Sequence, residues 1–198
     1  MSRAPAPPPP SMRGRPDEIE TGLASWYGPP YHNRKGADGT IYDQNAMTAA
    51  HKTLPLGSMV RVTNLSNNIS AVVRITDRGP FVGGRIIDLS LAAAKATGIY
   101  QAGVARVKVE AYVPASRAGT DPGGRWCVQV GAFLQAEEAV QLKNDLTRRY
   151  QTAKVTEFSG PTGYWVRINP TQPDKAHAGE IAASIHVPDA EPYVVRTD

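Results

Sequence analysis

Cysteine is nearly absent: a chain of 198 residues carries one, Cys127. A single thiol excludes an intrachain disulfide framework and a thiolate metal cluster. It reads most simply as a small buried hydrophobe. Long apolar runs are missing too; nothing approaches the roughly 18 consecutive apolar residues that a membrane-spanning helix needs. The histidines show no i, i+4 pair of a helical metal site. There is no Gly-x-Ser-x-Gly elbow, no P-loop and no glycine-rich phosphate cradle. No metal and no cofactor are expected. Hydrophobic residues make up 41%, aromatics 7% and charged residues 20%, too apolar a mixture for a fully disordered chain.

The texture divides the chain. Residues 1–21 carry a proline run, Pro7–Pro10, followed by charges without apolar periodicity, and read as a disordered tail. They hold no apolar stretch like that of a secretory leader. From Gly22 to Tyr112, short β-branched runs alternate with turns. Gly22–Tyr27, Met59–Asn64, Ser70–Thr76, Gly84–Leu89 and Ala105–Ala111 read as strands with the period of two that marks half-buried sheet. Ser90 and Gly98 bracket a short helix as N-cap and C-terminal glycine. The expectation for 22–113 is a compact β-barrel or sandwich.

Residues 114–123, rich in Pro, Gly and Ala, read as a linker, and 124–198 as a second domain. In that domain Trp126–Phe133, Lys154–Phe158, Tyr164–Ile168 and Tyr193–Arg196 read as strands, and Gln135–Tyr150 and Asp174–Ile185 as helices. The order βαββαβ describes a ferredoxin-like α+β sandwich.

Charge separates the two. Residues 22–113 hold ten basic and five acidic side chains, whereas 124–198 hold eight and nine. A basic first domain suits an acidic polymer, or is simply a solvated surface. Asp77 ends a strand in Thr-Asp-Arg-Gly-Pro-Phe. Such a carboxylate works as a general acid or base if its surroundings adjust its pKa, or forms an Asx-turn with the amide of Gly79. His51 suits an assisting role or a structural hydrogen bond; His32 has the weaker case. Trp26, Tyr27, Tyr31, Tyr42 and Phe81 lie in or beside loops, where flat apolar faces suit sugar rings as well as bases, while Trp26 or Tyr42 also reads as core. In the second domain, alternation sets Gln129 with Gly131 and Trp165 with Arg167 on shared faces.

Longer motifs carry a resemblance. Ala24-Ser-Trp-Tyr-Gly28, Met47-Thr-Ala-Ala-His-Lys-Thr-Leu-Pro-Leu-Gly57, Thr76-Asp-Arg-Gly-Pro-Phe81 and Arg85-Ile-Ile-Asp-Leu-Ser90 closely resemble the rare lipoprotein A family across 22–113. Trp126-Cys-Val-Gln-Val-Gly-Ala-Phe133 with Gly163-Tyr-Trp-Val-Arg-Ile168 resembles a sporulation-related repeat (SPOR) domain. The first resemblance implies a double-psi β-barrel and an endolytic lytic transglycosylase. Such an enzyme cuts the MurNAc–GlcNAc β-1,4 bond of peptidoglycan and leaves 1,6-anhydroMurNAc ends. It also implies Asp77 as acid/base, His51 as its assistant, and a groove containing Trp26, Tyr27, Thr40, Tyr42, Arg78 and Phe81.

The SPOR resemblance implies binding to glycan strands that lack stem peptides, with action in cell division and daughter-cell separation. It also implies Gln129, Phe133, Trp165 and Arg167 as glycan contacts, an aromatic and a guanidinium on one face suiting a sugar, unless Trp165 packs under a helix. The implied setting is the cell envelope or periplasm, with export and septal placement. No lipobox cysteine precedes Cys127, so the family's lipid link to the outer membrane is not assigned. A monomer without nucleic-acid partners is expected. One departure stands out: many family members read Asn-Gly-Glu where this chain reads Asp38-Gly39-Thr40. Threonine hydrogen-bonds but does not titrate. That keeps open a non-catalytic wall-binding or expansin-like loosening protein, and charge alone keeps a generic polyanion binder in third place.

Overall fold

The structure, a computed structural model, describes residue 12 and residues 15–29, 31–112, 123–157, 163–188 and 190–198. Most of the expected tail and all of the expected linker but Gly123 lie outside these residues. The chain forms two compact units, and among the described residues no helix is long and apolar enough to cross a membrane.

The first unit is a closed barrel of six strands: β1 (Glu18–Tyr27), β2 (Thr48–His51), β3 (Met59–Asn64), β4 (Ser70–Asp77), β5 (Arg85–Ser90) and β6 (Ala105–Tyr112). Their order is β1-β5-β2-β4-β3-β6. β1/β5 and β2/β4 run parallel, and the remaining neighbours antiparallel. This is the double-psi barrel implied by the sequence. Alternation builds it: in β3 Val60 and Val62 point inward while Arg61 and Thr63 are half-exposed. They meet Val73, Ile75, Ile87, Leu89, Val107 and Val109 in one core. Each such side chain, once buried, contributes about 1.5–3 kcal/mol before the entropy of ordering is subtracted. Helix α1 (Leu91–Ala96) adds Ala93 and Ala94 to that core. Its N-cap Ser90 accepts the amide of Ala93, as expected.

Two barrel features differ from expectation. β1 begins at Glu18, inside the expected tail, because its first residues pair with Ala111 through Lys108 of β6. β2 was not expected as a strand. Thr-Ala-Ala-His is short and has little β propensity; its place between β4 and β5 comes from ladder partners on both sides.

The second unit is a four-stranded antiparallel sheet of β7 (Trp126–Phe133), β8 (Lys154–Glu157), β9 (Tyr164–Ile168) and β10 (Pro192–Arg196) in the order β10-β7-β9-β8. Helices α2 (Ala136–Thr147) and α3 (Lys175–Ser184) complete βαββαβ. Ala139, Leu142 and Ala178 from the helices pack on Val128, Val130, Val166 and Ile168 from one sheet face. Asp174 caps α3 by accepting the amide of His177. Cys127 is buried, as its apolar reading required.

Candidate functional site

The site grows from a fault in the sheet. Between β2 and β4 the register shifts at Ala49/Ala50, which brings Asp77 beside Ala50. Such irregularities end a ladder and re-aim side chains. The Asp77 carboxylate Oδ1 accepts the amides of Arg78 at 2.8 Å and Ala37 at 3.0 Å. The turn is therefore closed by Arg78 and a distant loop, not by the expected amide of Gly79.

That loop is laced onto the end of β4. The Asp38 amide donates to the Thr76 carbonyl at 3.1 Å. Asp38 Oδ1 accepts both the amide and the hydroxyl of Thr40, at 2.8 and 2.7 Å. Gly36 is required by close approach: a Cβ there would stand 3.0 Å from the Thr76 carbonyl oxygen and 3.5 Å from Asp38 Oδ1. Thr40 thus spends its hydroxyl on Asp38, whose negative charge lies near Asp77.

Burial pushes the Asp77 carboxyl up to about 6, with the Asp38 charge adding to the rise. The amides of Arg78 and Ala37 and the Arg78 guanidinium oppose it. A carboxyl so poised holds and releases a proton near neutral pH. Tyr27 is pushed well above its usual value, first by burial and then by the charge of Asp77. Burial pushes Tyr42 up to about 12. Both phenols are therefore neutral hydrogen-bonding groups at physiological pH. Their rings tilt together at 4.5 Å, and the Tyr42 hydroxyl donates to the Tyr27 carbonyl at 2.7 Å. Tyr27, Tyr42, Thr40, Thr48 and Asp77 line a cavity of about 50 Å³.

The other expected groove residues divide differently. Trp26 packs partly buried against the barrel core, with its ring 5.0 Å from that of Tyr100. Phe81 is half-buried beside Gly79. Arg78 is buried, and its Nη1 donates to the carbonyls of His51 and Leu54 at 3.1 and 2.7 Å. It braces the barrel rather than presenting its guanidinium to a groove. His51 is 2% exposed and its ring is engaged on both sides. Nδ1 accepts the amides of Thr53 and Leu54 at 3.2 and 3.1 Å, and Nε2 faces Glu20 Oε2 at 3.1 Å. The accepting Nδ1 places the ring proton on Nε2, where it donates to Glu20. The His51 ring is thus taken up by Thr53, Leu54 and Glu20, while the carbonyls of His51 and Leu54 hold Arg78. His32 Nδ1 lies 3.8 Å from Asp43.

Sequence reasoning gave Asp88 no role. It pairs with Ala50 from the side opposite Asp77, so the two aspartates stand two strand spacings apart, about 10 Å between backbones. Asp88 Oδ1 accepts the Ser25 hydroxyl at 2.6 Å and Oδ2 lies 3.5 Å from Arg85 Nη2. Burial raises its pKa. Only the β5–β2–β4 order makes these aspartates neighbours, and neither position signals that order locally. Among the described residues no group of side chains is arranged to hold a metal ion.

In the second unit, Gln129 and Arg167 are ladder partners, and Arg167 Nη2 donates to Gln129 Oε1 at 2.9 Å. Trp165 shares that sheet face, which lies opposite the helices; it does not pack under a helix. Its ring is fully buried, edge-on to Tyr193 at 6.4 Å. Burial leaves no ring face open for a sugar, which corrects the expected stacking role. Phe133 departs as well: a register shift after Val130 breaks the alternation, and its ring packs against the helix-side core.

Comparison with known proteins adds an independent view. Residues 19–109 match the family described as lytic transglycolase, and residues 122–196 match the SPOR domain. The endolytic peptidoglycan transglycosylase RlpA of Neisseria meningitidis serogroup B is 46% identical over 131 residues, 66% of this chain and 55% of that protein. The protein of the same name from Campylobacter jejuni is 40% identical over 157 residues, covering 68% and 56%. That from Pseudomonas aeruginosa is 59% identical over 93 residues, covering 47% and 27%. The chain thus spans about half or less of the length of these relatives.

Proposed function

Because the chain belongs to the rare lipoprotein A family, with a lytic transglycosylase-type barrel and a SPOR domain, we propose that it is an endolytic peptidoglycan transglycosylase with Asp77 as its acid/base. The observation that carries this is the Asp77 carboxyl, held by two amides at the edge of a small cavity with its pKa near 6.

In this reading protonated Asp77 donates to the glycosidic oxygen as the C1–O bond of MurNAc breaks. The C6 hydroxyl of the same sugar then attacks C1, and its proton passes to the Asp77 carboxylate. The acid is regenerated, a 1,6-anhydro ring forms and no water is consumed. One carboxyl serves both steps, which differs from the two-carboxylate hydrolysis of glycosides. His51 acts as a positioning residue. With Glu20 it holds the 51–54 loop, whose carbonyls fix Arg78, and the Arg78 amide fixes Asp77. The second unit holds denuded strands through half-buried Arg167 and half-exposed Tyr193, with the buried Gln129 and Trp165 supporting them. The setting is the envelope, at division sites, as an exported monomer.

A second reading, a non-catalytic wall-binding protein, is favoured by Thr40 alone. Product analysis separates the two. Incubation with purified sacculi, intact and amidase-treated, releases anhydro-ended glycans from wild type and none from Asp77→Asn, with more from the amidase-treated material. Binding by both proteins without any product selects the second reading.

A further inference from the structure

One of the two amides on Asp77 comes from a turn that burial does not hold. Residues 34–42 form a hairpin in which the Tyr42 amide donates to the Arg34 carbonyl at 2.7 Å and Lys35 bridges Ile41. Residues 37–41, its tip, are all exposed, so no buried side chain anchors the tip. Hydrogen bonds anchor it instead, and three of them run through Asp38. The Asp38 amide donates to the Thr76 carbonyl at 3.1 Å, which pins the tip to β4. Asp38 Oδ1 accepts the amide and the hydroxyl of Thr40, at 2.8 and 2.7 Å, which closes the tip on itself. Short polar side chains set turn geometry in this way without burial. Beside these bonds the Ala37 amide meets Asp77 Oδ1 at 3.0 Å.

That amide settles more than the orientation of Asp77. The Arg78 amide reaches the same oxygen, at 2.8 Å. When a carboxyl is protonated, the oxygen that carries the proton becomes a donor and the other remains the acceptor. Two amides on Oδ1 therefore leave the proton to Oδ2.

We infer that Asp38 is a positioning residue for the reaction: clamped by Thr40 and pinned to Thr76, it holds the Ala37 amide on Asp77 Oδ1 and so assigns the acid proton to Oδ2. The inference rests on the transglycosylase reading for its chemistry and on these hydrogen bonds for its geometry. Oδ2 gives its proton to the glycosidic oxygen as the C1–O bond breaks, and takes one back from the attacking C6 hydroxyl. Asp38 exchanges no proton and touches no reacting atom. Thr40 gains a task as well, because it holds the carboxylate at 38. That carboxylate also brings a like charge toward Asp77. The other charged or titratable groups around Asp77 are Arg78 beside it, Tyr27 on β1, which also feels Asp88 on β5, Tyr42 and Asp43 at the cavity, and His51 on β2, turned to Glu20. Asp38 alone of these lies on the exposed tip.

The test follows the Asp77 carboxyl carbon and the Ala37 amide proton by NMR of the full chain, beside anhydro-end release from a soluble glycan, from pH 4 to 8. In wild type the two signals shift together, on one midpoint. Asp38→Ala uncouples them and lowers kcat/KM on the acid plateau by about tenfold, the scale of a modest loss of alignment. Asp38→Asn keeps an acceptor for Thr40 and recovers most of that loss. Its missing charge lowers the Asp77 midpoint by less than about one unit, so the fall in rate sets in at lower pH. Added salt narrows that gap to wild type. Thr40→Val is a weaker copy of Asp38→Ala, carries the comparison if Asp38→Ala does not fold, and is rescued by Thr40→Ser. An Ala37 amide that still follows Asp77 in Asp38→Ala and Thr40→Val, or a plateau that neither lowers, overturns the inference. So does an Asp38→Asn variant as slow as Asp38→Ala. The wider reading fails separately, when wild type releases no anhydro ends, and the coupling of the two signals still decides the role of Asp38 in that case.

Discussion

The two units treat polar side chains in opposite ways. In the barrel, Asp77 stands where a ladder shifts register, at a strand end, against a small cavity. In the second unit, Gln129 and Arg167 stand mid-strand, in register and bonded to each other, ahead of the shift that follows Val130. A strand end gives a carboxyl partial burial, fixed amides and room for a reacting atom. A regular ladder gives a flat, pre-ordered face with no space within it. The first arrangement suits chemistry and the second suits holding a polymer.

The sharpest way to break this contrast is to remove one polar group from each unit. Asp77→Asn keeps the acceptor for both amides but loses the proton, and cleavage of short soluble glycans falls by about 10²–10⁴-fold. Arg167→Ala leaves the same assay unchanged. Equal losses in the two variants would dissolve the division of labour. Removing residues 124–198 comes next. It lowers turnover of whole sacculi by about 10–100-fold through lost effective concentration, with little change on soluble fragments, both read from product yields.

Smaller effects sharpen the picture. Gly131 has φ +79° and its missing Cβ leaves space taken by the Phe133 ring. Gly131→Ala therefore destabilises the second unit by about 1–3 kcal/mol, seen as a lower melting temperature of one calorimetric transition while the barrel's is unmoved. Thr40→Glu is the mildest change. It places a carboxylate near Asp38 and Asp77, loses the bond from the Thr40 hydroxyl, and moves the Asp77 titration upward by less than about one unit. The pH dependence of glycan cleavage reads that shift directly. An unchanged profile shows that the site has no use for a carboxylate at this position.

Much of the architecture was legible in the chain. Val60 and Val62 announced β3 through alternation, and Ser90 and Gly98 bounded α1 because caps are local chemistry. Asp77 was legible as a rim carboxylate because turn residues follow it. The rest depended on neighbours that sequence spacing does not reveal. β2 has too few β-formers to declare itself. Asp88 became a neighbour of the site only through the β5–β2–β4 order. His51 and Arg78 looked like groove residues because they adjoin Asp77 in the motifs, yet both are consumed by backbone partners of the 51–54 loop. Phe133 followed the alternation on paper, and one register shift moved it to the other side.

The central claim is that a desolvated Asp77 carboxyl, near 6, supplies the proton that opens the glycosidic bond. Its most direct test is the pH dependence of anhydro-end release from a soluble glycan by the wild-type chain. The acid form is the active one in the bond-breaking step, so kcat/KM is level below about pH 6 and falls about tenfold per unit above it. Rates unchanged between pH 5 and 8, or rising through that window, would contradict the account.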